Sequence, residues 1–292
     1  TDQILPGLSL LLGIWPREFR SGSNTFTNRF QASGLTGAMQ GSNYTEELRN
    51  AGLRTPAKTN YQWDGSLMHG GPIFRDRLWF FYATRYAGNG TDVPGVFFNK
   101  NAGDITKWTY DPDFSRPARN SSSGTITPTL RLTMQVNRSL QVGAFADAGA
   151  FRLSDQPQIG VVGAAALATP ETGTVGGTTR SPMFQYKGTW TVTSKLLLDA
   201  SFGSYHQNWN GRERPDNNRD LIRITEQCTT GCPNNGGLGG LVYRAQVWNA
   251  DYMEPNRWQA AATYVTGAHN MKFGYQGVVH WNVQGPHGND HN

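Results

Sequence analysis

No long apolar run is present. The longest, residues 8–15 and 161–168, fall well short of the roughly 20 residues that a membrane-spanning helix needs. That excludes a helical span but not a spanning β-strand, which needs only about 10 residues and alternates its apolar side chains with polar ones. Charged residues are scarce at 16%, and the mean hydropathy is -0.54. Bases outnumber acids, giving a net charge of +5, yet Lys and Arg are scattered and form no basic run. Without a basic groove interleaved with aromatics, nucleic acid is not expected as a partner.

Cysteine is almost absent. Cys228 and Cys232 stand four apart in Gln227-Cys228-Thr229-Thr230-Gly231-Cys232, with no second Cys or His pair to complete a zinc site. A local loop disulfide fits an oxidising compartment, and two free thiols are the alternative. The amino-terminal end shows no start Met, basic leader or small-residue cleavage site, so the chain reads as an internal fragment.

The common signatures of catalysis are missing too. HExxH, the P-loop, GxSxG and paired CxxC do not occur, so the chain is not expected to be an enzyme, and no cofactor or metal is expected. His287 and His291 have the spacing of a metal pair only on a helix, which Pro286 and Gly288 oppose; a disordered end is expected. Asp216-Asn217-Asn218-Arg219-Asp220 lacks the Gly and distal Glu of a calcium loop and reads as a solvated loop. Asp111 and Asp113 flank a proline, where turn formation accounts for them.

Glycine (35 residues) and aromatics (12%) are plentiful, a balance that favours short strands joined by turns: an all-β chain. Alternation then separates the strands into pairs. Tyr61, Trp63, Gly65 and Leu67 share one face, opposite Gln62, Asp64 and Ser66; Gly70-Gly71-Pro72 is expected to break the ladder before the aromatic run 78–82. In the second pair Leu130, Leu132, Met134 and Val136 oppose Arg131, Thr133 and Gln135, a turn falls at 137–139, and Leu140, Val142, Ala144, Ala146 and Ala148 return on the apolar face. Phe145 alone is out of place, among Gln141, Gly143 and Asp147. A third pair runs from Phe184 through Trp190 and Val192, turns at 193–195 and returns through Leu196, Leu198, Ala200 and Phe202; a fourth joins 258–265 to 271–283 across 266–270.

Between the pairs lie residues 34–60, 87–123, 149–181 and 210–256, too long for ordinary hairpin loops in a compact soluble domain. The first holds an expected helix over 45–51, with Asn43 as N-cap and Gly52 past its end. The Gly/Thr-rich stretch 169–179 is expected to be mobile. Short turns alternating with long connections is the layout of an outer-membrane barrel, with periplasmic turns and extracellular loops. A soluble sandwich spreads its loops over both ends and commonly has shorter strands. Strand tryptophans suit the aromatic girdles of a barrel, whereas Trp108 and Trp248, placed in loops, are the weak candidates for stacking on a substrate such as a sugar.

These segments carry a resemblance. Arg20-Ser21-Gly22-Ser23-Asn24-Thr25-Phe26, Met39-Gln40-Gly41-Ser42-Asn43-Tyr44, Gly52-Leu53-Arg54-Thr55-Pro56 and above all Gly70-Gly71-Pro72-Ile73-Phe74-Arg75-Asp76-Arg77-Leu78-Trp79-Phe80-Phe81 resemble the early barrel of Oar-like TonB-dependent receptors of the acidobacterial type. Residues 101–103, 108–113, 212–215, 225–228 and 264–276 are similar to the same family. Residues 1–19 match it poorly, and 20–292 read as a partial barrel.

The resemblance implies an antiparallel transmembrane barrel, here about nine strands of about 22. It also implies a location in the outer membrane in contact with its lipid, and a plug, absent from this chain, that couples to the TonB energy-transducing complex. The function implied is binding and passing a scarce, unidentified solute across the outer membrane. A non-transporting adhesion or display barrel and a soluble extracellular carbohydrate-binding β-protein are the alternatives.

Overall fold

The computed structural model describes residues 23–51, 56–154, 158–159, 166–173, 175–176, 178–226, 240–246 and 248–289. The cysteines at 228 and 232, and His291, lie outside them. The chain is all-β and antiparallel. Its long strands are β1 (Thr27–Thr36), β2 (Lys58–Phe74), β3 (Leu78–Asn99), β4 (Pro112–Ile126), β5 (Thr129–Gln135), β6 (Leu140–Ser154), β7 (Thr178–Thr193), β8 (Leu196–Tyr205), β9 (Gln207–Arg212), β10 (Trp248–Thr266) and β11 (His269–Val283). With two two-residue pieces they form one 13-stranded sheet.

Two of these boundaries are interruptions rather than turns. β4 and β5 both pair with β3 and β6, and the register carries on unchanged across Thr127-Pro128. Pro128 has no N–H to give the ladder, but its carbonyl still accepts from Ala148 N at 3.0 Å. β8 and β9 likewise continue each other along β10. The sheet is therefore a meander of nine strand positions in chain order. Among the described residues β1 pairs only with β2 and β11 only with β10, so both edges are open.

Register decides what each face carries, because directly opposed residues point the same way. One in-register set contains Phe30 (β1), Trp63 and Leu67 (β2), Leu78, Phe80 and Tyr82 (β3), and Leu130, Leu132 and Met134 (β5). It continues through Val142 and Ala144 (β6), Tyr186 and Trp190 (β7), Leu198 and Phe202 (β8), Trp258 and Tyr264 (β10), and Phe273 and Tyr275 (β11). The four alternating segments are thus one apolar surface, and among the described residues nothing covers it: Phe30 is 74% exposed, Tyr275 69% and Tyr186 54%.

The opposite face is polar and internally paired. Arg85 forms an ion pair with Asp64, Thr129 Oγ1 donates to Asp147 at 2.8 Å, Thr189 Oγ1 donates to Asp199 at 2.9 Å, and Gln141 donates to Gln135 at 3.2 Å. Phe145, the residue that breaks the alternation, lies buried on this face with the Arg131 guanidinium 5.7 Å from its ring centroid.

Short turns have local causes. Asn137 Oδ1 accepts from Ser139 N and Leu140 N, both at 2.9 Å, which closes the β5–β6 turn as an Asx turn. Thr193 Oγ1 does the same for Lys195 N and Leu196 N at β7–β8. At β10–β11 only Gly267 and Ala268 separate the paired Thr266 and His269, and Gly267 takes φ 55, a left-handed conformation that suits glycine. On the apolar face the rings of Trp63 and Trp258 lie across the directly opposed Gly88 and Gly277, where a Cβ would come within 2.6 and 2.5 Å of them.

Several expectations need correction. The first turn is at Arg75-Asp76-Arg77, not at Gly70-Gly71-Pro72: the ladder runs on to Phe74, and the proline is absorbed by a register shift between Pro72 and Phe74. The N-cap of α1 (Glu46–Asn50) is Thr45, whose Oγ1 accepts from Leu48 N at 3.3 Å; it is not Asn43. The stretches 87–123, 149–181 and 210–256 are only partly loop. β3 runs to Asn99 with β4 returning from Pro112, β6 reaches Ser154 with β7 starting at Thr178, and β10 starts at Trp248. These extensions continue the backbone ladder beyond the apolar band, where neither face needs apolar side chains, so alternation vanishes although pairing does not.

Candidate functional site

The strand extensions and long connections gather at one end of the sheet and build the one buried apolar cluster of the described residues. Val93 and Val96 from β3, Tyr110, and Ala118 from β4 pack with Leu241 and Tyr243, and Ile224 joins from the strand opposite. Tyr110 OH lies 3.1 Å from both the backbone N and O of Phe97, and burial pushes its pKa up to about 12. Tyr243 OH donates to Glu226 Oε1 at 2.8 Å; burial, reinforced by that carboxylate, also raises it to about 12.

Arg244 ties this end together. Its φ is 83, which a non-glycine residue rarely adopts, and its side chain is buried. The guanidinium donates to the carbonyls of Ile105 (2.9 Å), Lys107 (2.9 Å) and Ile222 (3.2 Å) while lying 3.8 Å from the Trp108 ring centroid. A planar, multiply donating group on an aromatic face is a role for which Lys is no substitute.

Beneath it, Asn99 Oδ1 accepts from Asn101 N and Asp111 N, and its amide donates to Glu171 Oε1 at 3.0 Å. Glu171 Oε2 is buried without a partner, and burial raises the pKa of this carboxyl. Such a carboxyl favours the neutral form in the folded state, so what it adds to stability is greatest at acid pH and is lost as pH rises through its raised pKa.

Of the two predicted stacking residues, Trp108 does stand at this end. Arg244 occupies one side of its ring, and the residue remains 53% exposed. Trp248 is not in a loop: it is the first residue of β10, and its ring stacks on His287 at 5.6 Å. The expected disordered end is corrected only as far as it is described: Pro286–His287 pairs with Trp248 and Asn249, and residues 290–292 lie outside the described residues. The structure holds Trp108 and Trp248 with different partners and does not bring them into one stacking surface.

The Gly/Thr-rich stretch is likewise not loose where described. Thr169 and Thr172 are fully buried, and Thr169 N donates to Val242 O at 2.9 Å. Gln246 fastens the neighbouring connection, accepting from Arg214 N at 2.7 Å and donating to Arg212 O at 2.9 Å. In the acidic run 216–220, Asp216 pairs with Arg214 and Asn218 Oδ1 accepts from Asp220 N, local uses that fit a surface loop. Asp113 does not lie in a turn: it is the second residue of β4, paired with Phe98, and its Oδ1 accepts from Ser115 N at 3.1 Å, while Asp111, just before the strand, pairs with Lys100 at the surface. Glu213, held by Arg219 at 2.6 Å, drops to about pKa 2.

On the polar face, a groove of about 760 Å³ runs over β7, β8, β10 and β11, with Gln185, Ser201, Tyr205, Arg257, Gln259 and Gln276 among its lining residues. Cation, amides and hydroxyls together suit a polar solute. No family model, curated protein or solved structure matches the chain.

Two features at these sites were not visible in the sequence reading. Arg244 meets the carbonyls of Ile105 and Lys107 across more than a hundred residues, with no local signal. A polar network of Ser204, His206, Tyr252, Glu254 and Asn256 interrupts the apolar face, and its signal is there in hindsight: i, i+2 spacing on two paired strands.

Proposed function

We propose that the chain forms part of the barrel wall of an outer-membrane receptor of the Oar-like, TonB-dependent kind, which captures a scarce solute outside and passes it inward. The observation that carries this reading is the single apolar face, in register from β1 to β11 and left uncovered by the described residues, backed by a polar face that holds the Arg85–Asp64 ion pair and the hydrogen-bonded carboxylates of Asp147 and Asp199. Water is a poor solvent for such a surface, because a contiguous apolar patch beyond a few hundred Å² is rare on soluble monomers. Hydrocarbon suits it. On β11 the same apolar row runs from Met271 through Phe273, Tyr275, Val279 and Trp281 to Val283, long enough for a tilted strand to cross a bilayer.

The folded end built around Arg244 then faces outward as the capture surface, with the half-exposed Trp108 on it, and the polar groove lies on the lumen wall. Cross-linking in the native host tests the reading. The expected result is that the native product is found in the outer-membrane fraction, is released only by detergent, and cross-links to the TonB protein. Recovery from the soluble fraction without detergent, or outer-membrane product with no TonB cross-link under any solute condition, contradicts transport.

A further inference from the structure

The polar network that interrupts the apolar face has the geometry of an activated nucleophile. β8 and β9 continue each other along β10 with Ser204 opposite Asn256 and Gln207 opposite Met253, so His206 falls opposite Glu254. Successive residues alternate faces, which sets Ser204, His206, Tyr252, Glu254 and Asn256 all on the apolar side. Ser204 Oγ lies 3.0 Å from His206 Nε2. His206 Nδ1 lies 3.2 Å from Tyr252 OH and 3.4 Å from Glu254 Oε2, and Tyr252 OH itself hydrogen-bonds to that carboxylate oxygen. Asn256 Nδ2 holds the other carboxylate oxygen at 3.1 Å.

This arrangement fixes the proton positions. With its own proton given to Glu254, Tyr252 OH presents a lone pair to His206 Nδ1, as does the carboxylate; Nδ1 therefore carries the imidazole proton. Nε2 is left with a free lone pair, and the Ser204 hydroxyl is aimed at it. Hydroxyl, imidazole base and carboxylate orienter are the three parts that make a serine nucleophilic, recognised by geometry rather than sequence order. The Phe184 ring meets the imidazole edge-on at 6.4 Å, Trp258 stands on the same face one row along β10, and the imidazole itself stays partly exposed.

We propose that Ser204 is an acyl-accepting nucleophile that cleaves carboxylic esters of membrane lipid. The substrate class rests on the membrane reading: the network is a polar break in the bilayer-facing side, set beside Phe184 of β7 and Val279 and Trp281 of β11, where it can meet the ester groups of lipid. Ser204 Oγ attacks the ester carbonyl carbon while His206 Nε2 takes the hydroxyl proton. The ester C–O bond then breaks, and His206 returns the proton to the departing alcohol. Water, deprotonated by the same nitrogen, releases the fatty acid and restores the serine. Ser204 and His206 are the catalytic residues, and Glu254 and Tyr252 act through His206 as positioning residues.

The test uses the native product in outer-membrane vesicles and in detergent. A small water-soluble fluorophosphonate is the covalent probe, and a dispersed phospholipid is the substrate. Peptide mapping is expected to place the phosphonyl group on Ser204, with no adduct in Ser204→Ala. His206→Gln is expected to slow labelling about a hundredfold or more, and Glu254→Gln about tenfold, while both keep the gel mobility of the folded protein; a merely structural network would leave the labelling rate of a folded variant unchanged. Release of fatty acid from phospholipid, absent in Ser204→Ala, completes the expected result. An unlabelled Ser204 in folded, membrane-embedded protein overturns the proposal and leaves the membrane reading standing. Labelling at Ser204 without phospholipid hydrolysis overturns the lipid substrate. A soluble native product fails the membrane reading, and the detergent-free labelling still reports on the nucleophile.

Discussion

Ala260→Arg is expected to destabilise the protein folded in lipid by about 2–4 kcal/mol, whereas Gln259→Arg, one residue away, stays within about 0.5 kcal/mol. The contrast follows from register alone. Ala260 stands opposite Ala200 and Tyr275, midway along the apolar rows of β10, so an arginine there carries its charge into the middle of the hydrocarbon. Gln259 stands opposite Ser201 and Gln276 and borders the polar groove, where a guanidinium keeps water or polar partners. Denaturant titration of the native product folded into vesicles measures both. Equal effects for the pair contradict a sheet that separates two environments.

Arg244→Ala is expected to cost about 3 kcal/mol, localised to the end of the sheet that carries the long connections. The substitution removes three charge-assisted hydrogen bonds, strands the carbonyls of Ile105, Lys107 and Ile222, and uncovers one face of Trp108. Amide exchange over residues 100–111 should accelerate, Trp108 emission should shift to the red, and the strand ladder between β5 and β8 should keep its protection. Arg244→Lys should rescue little, because a single ammonium cannot span three carbonyls and cover a ring at once. Full protection of 100–111 in Arg244→Ala would remove Arg244 from the role given to it.

What could be read in advance was whatever the period of two imposes. Residues 130–148 disclosed their register because one face is uniformly apolar, and the same logic recovered the pairs around Trp190 and Tyr264. Loop lengths were overestimated because the outer halves of β3 and β4 are held by backbone hydrogen bonds, which leave no pattern in side-chain polarity. Gly70-Gly71-Pro72 looked like a turn because Gly and Pro usually punctuate, whereas here Gly71 makes room for the Phe26 ring and the proline sits at a register shift. At the outer end the decisive contacts, Arg244 to Ile105 and Lys107, and Asn99 to Glu171, join segments far apart in sequence, and no local rule anticipates them.

The separation of two solvents by one sheet is tested most directly along β5. Single cysteines at Leu130, Leu132 and Met134, and at Arg131, Thr133 and Gln135, each carrying a bimane or spin label, would be probed in vesicles with a lipid-borne quencher and a water-soluble one. The account predicts strict alternation: the first three quenched from the lipid, the second three from water. A uniform response to either quencher along the strand would contradict it.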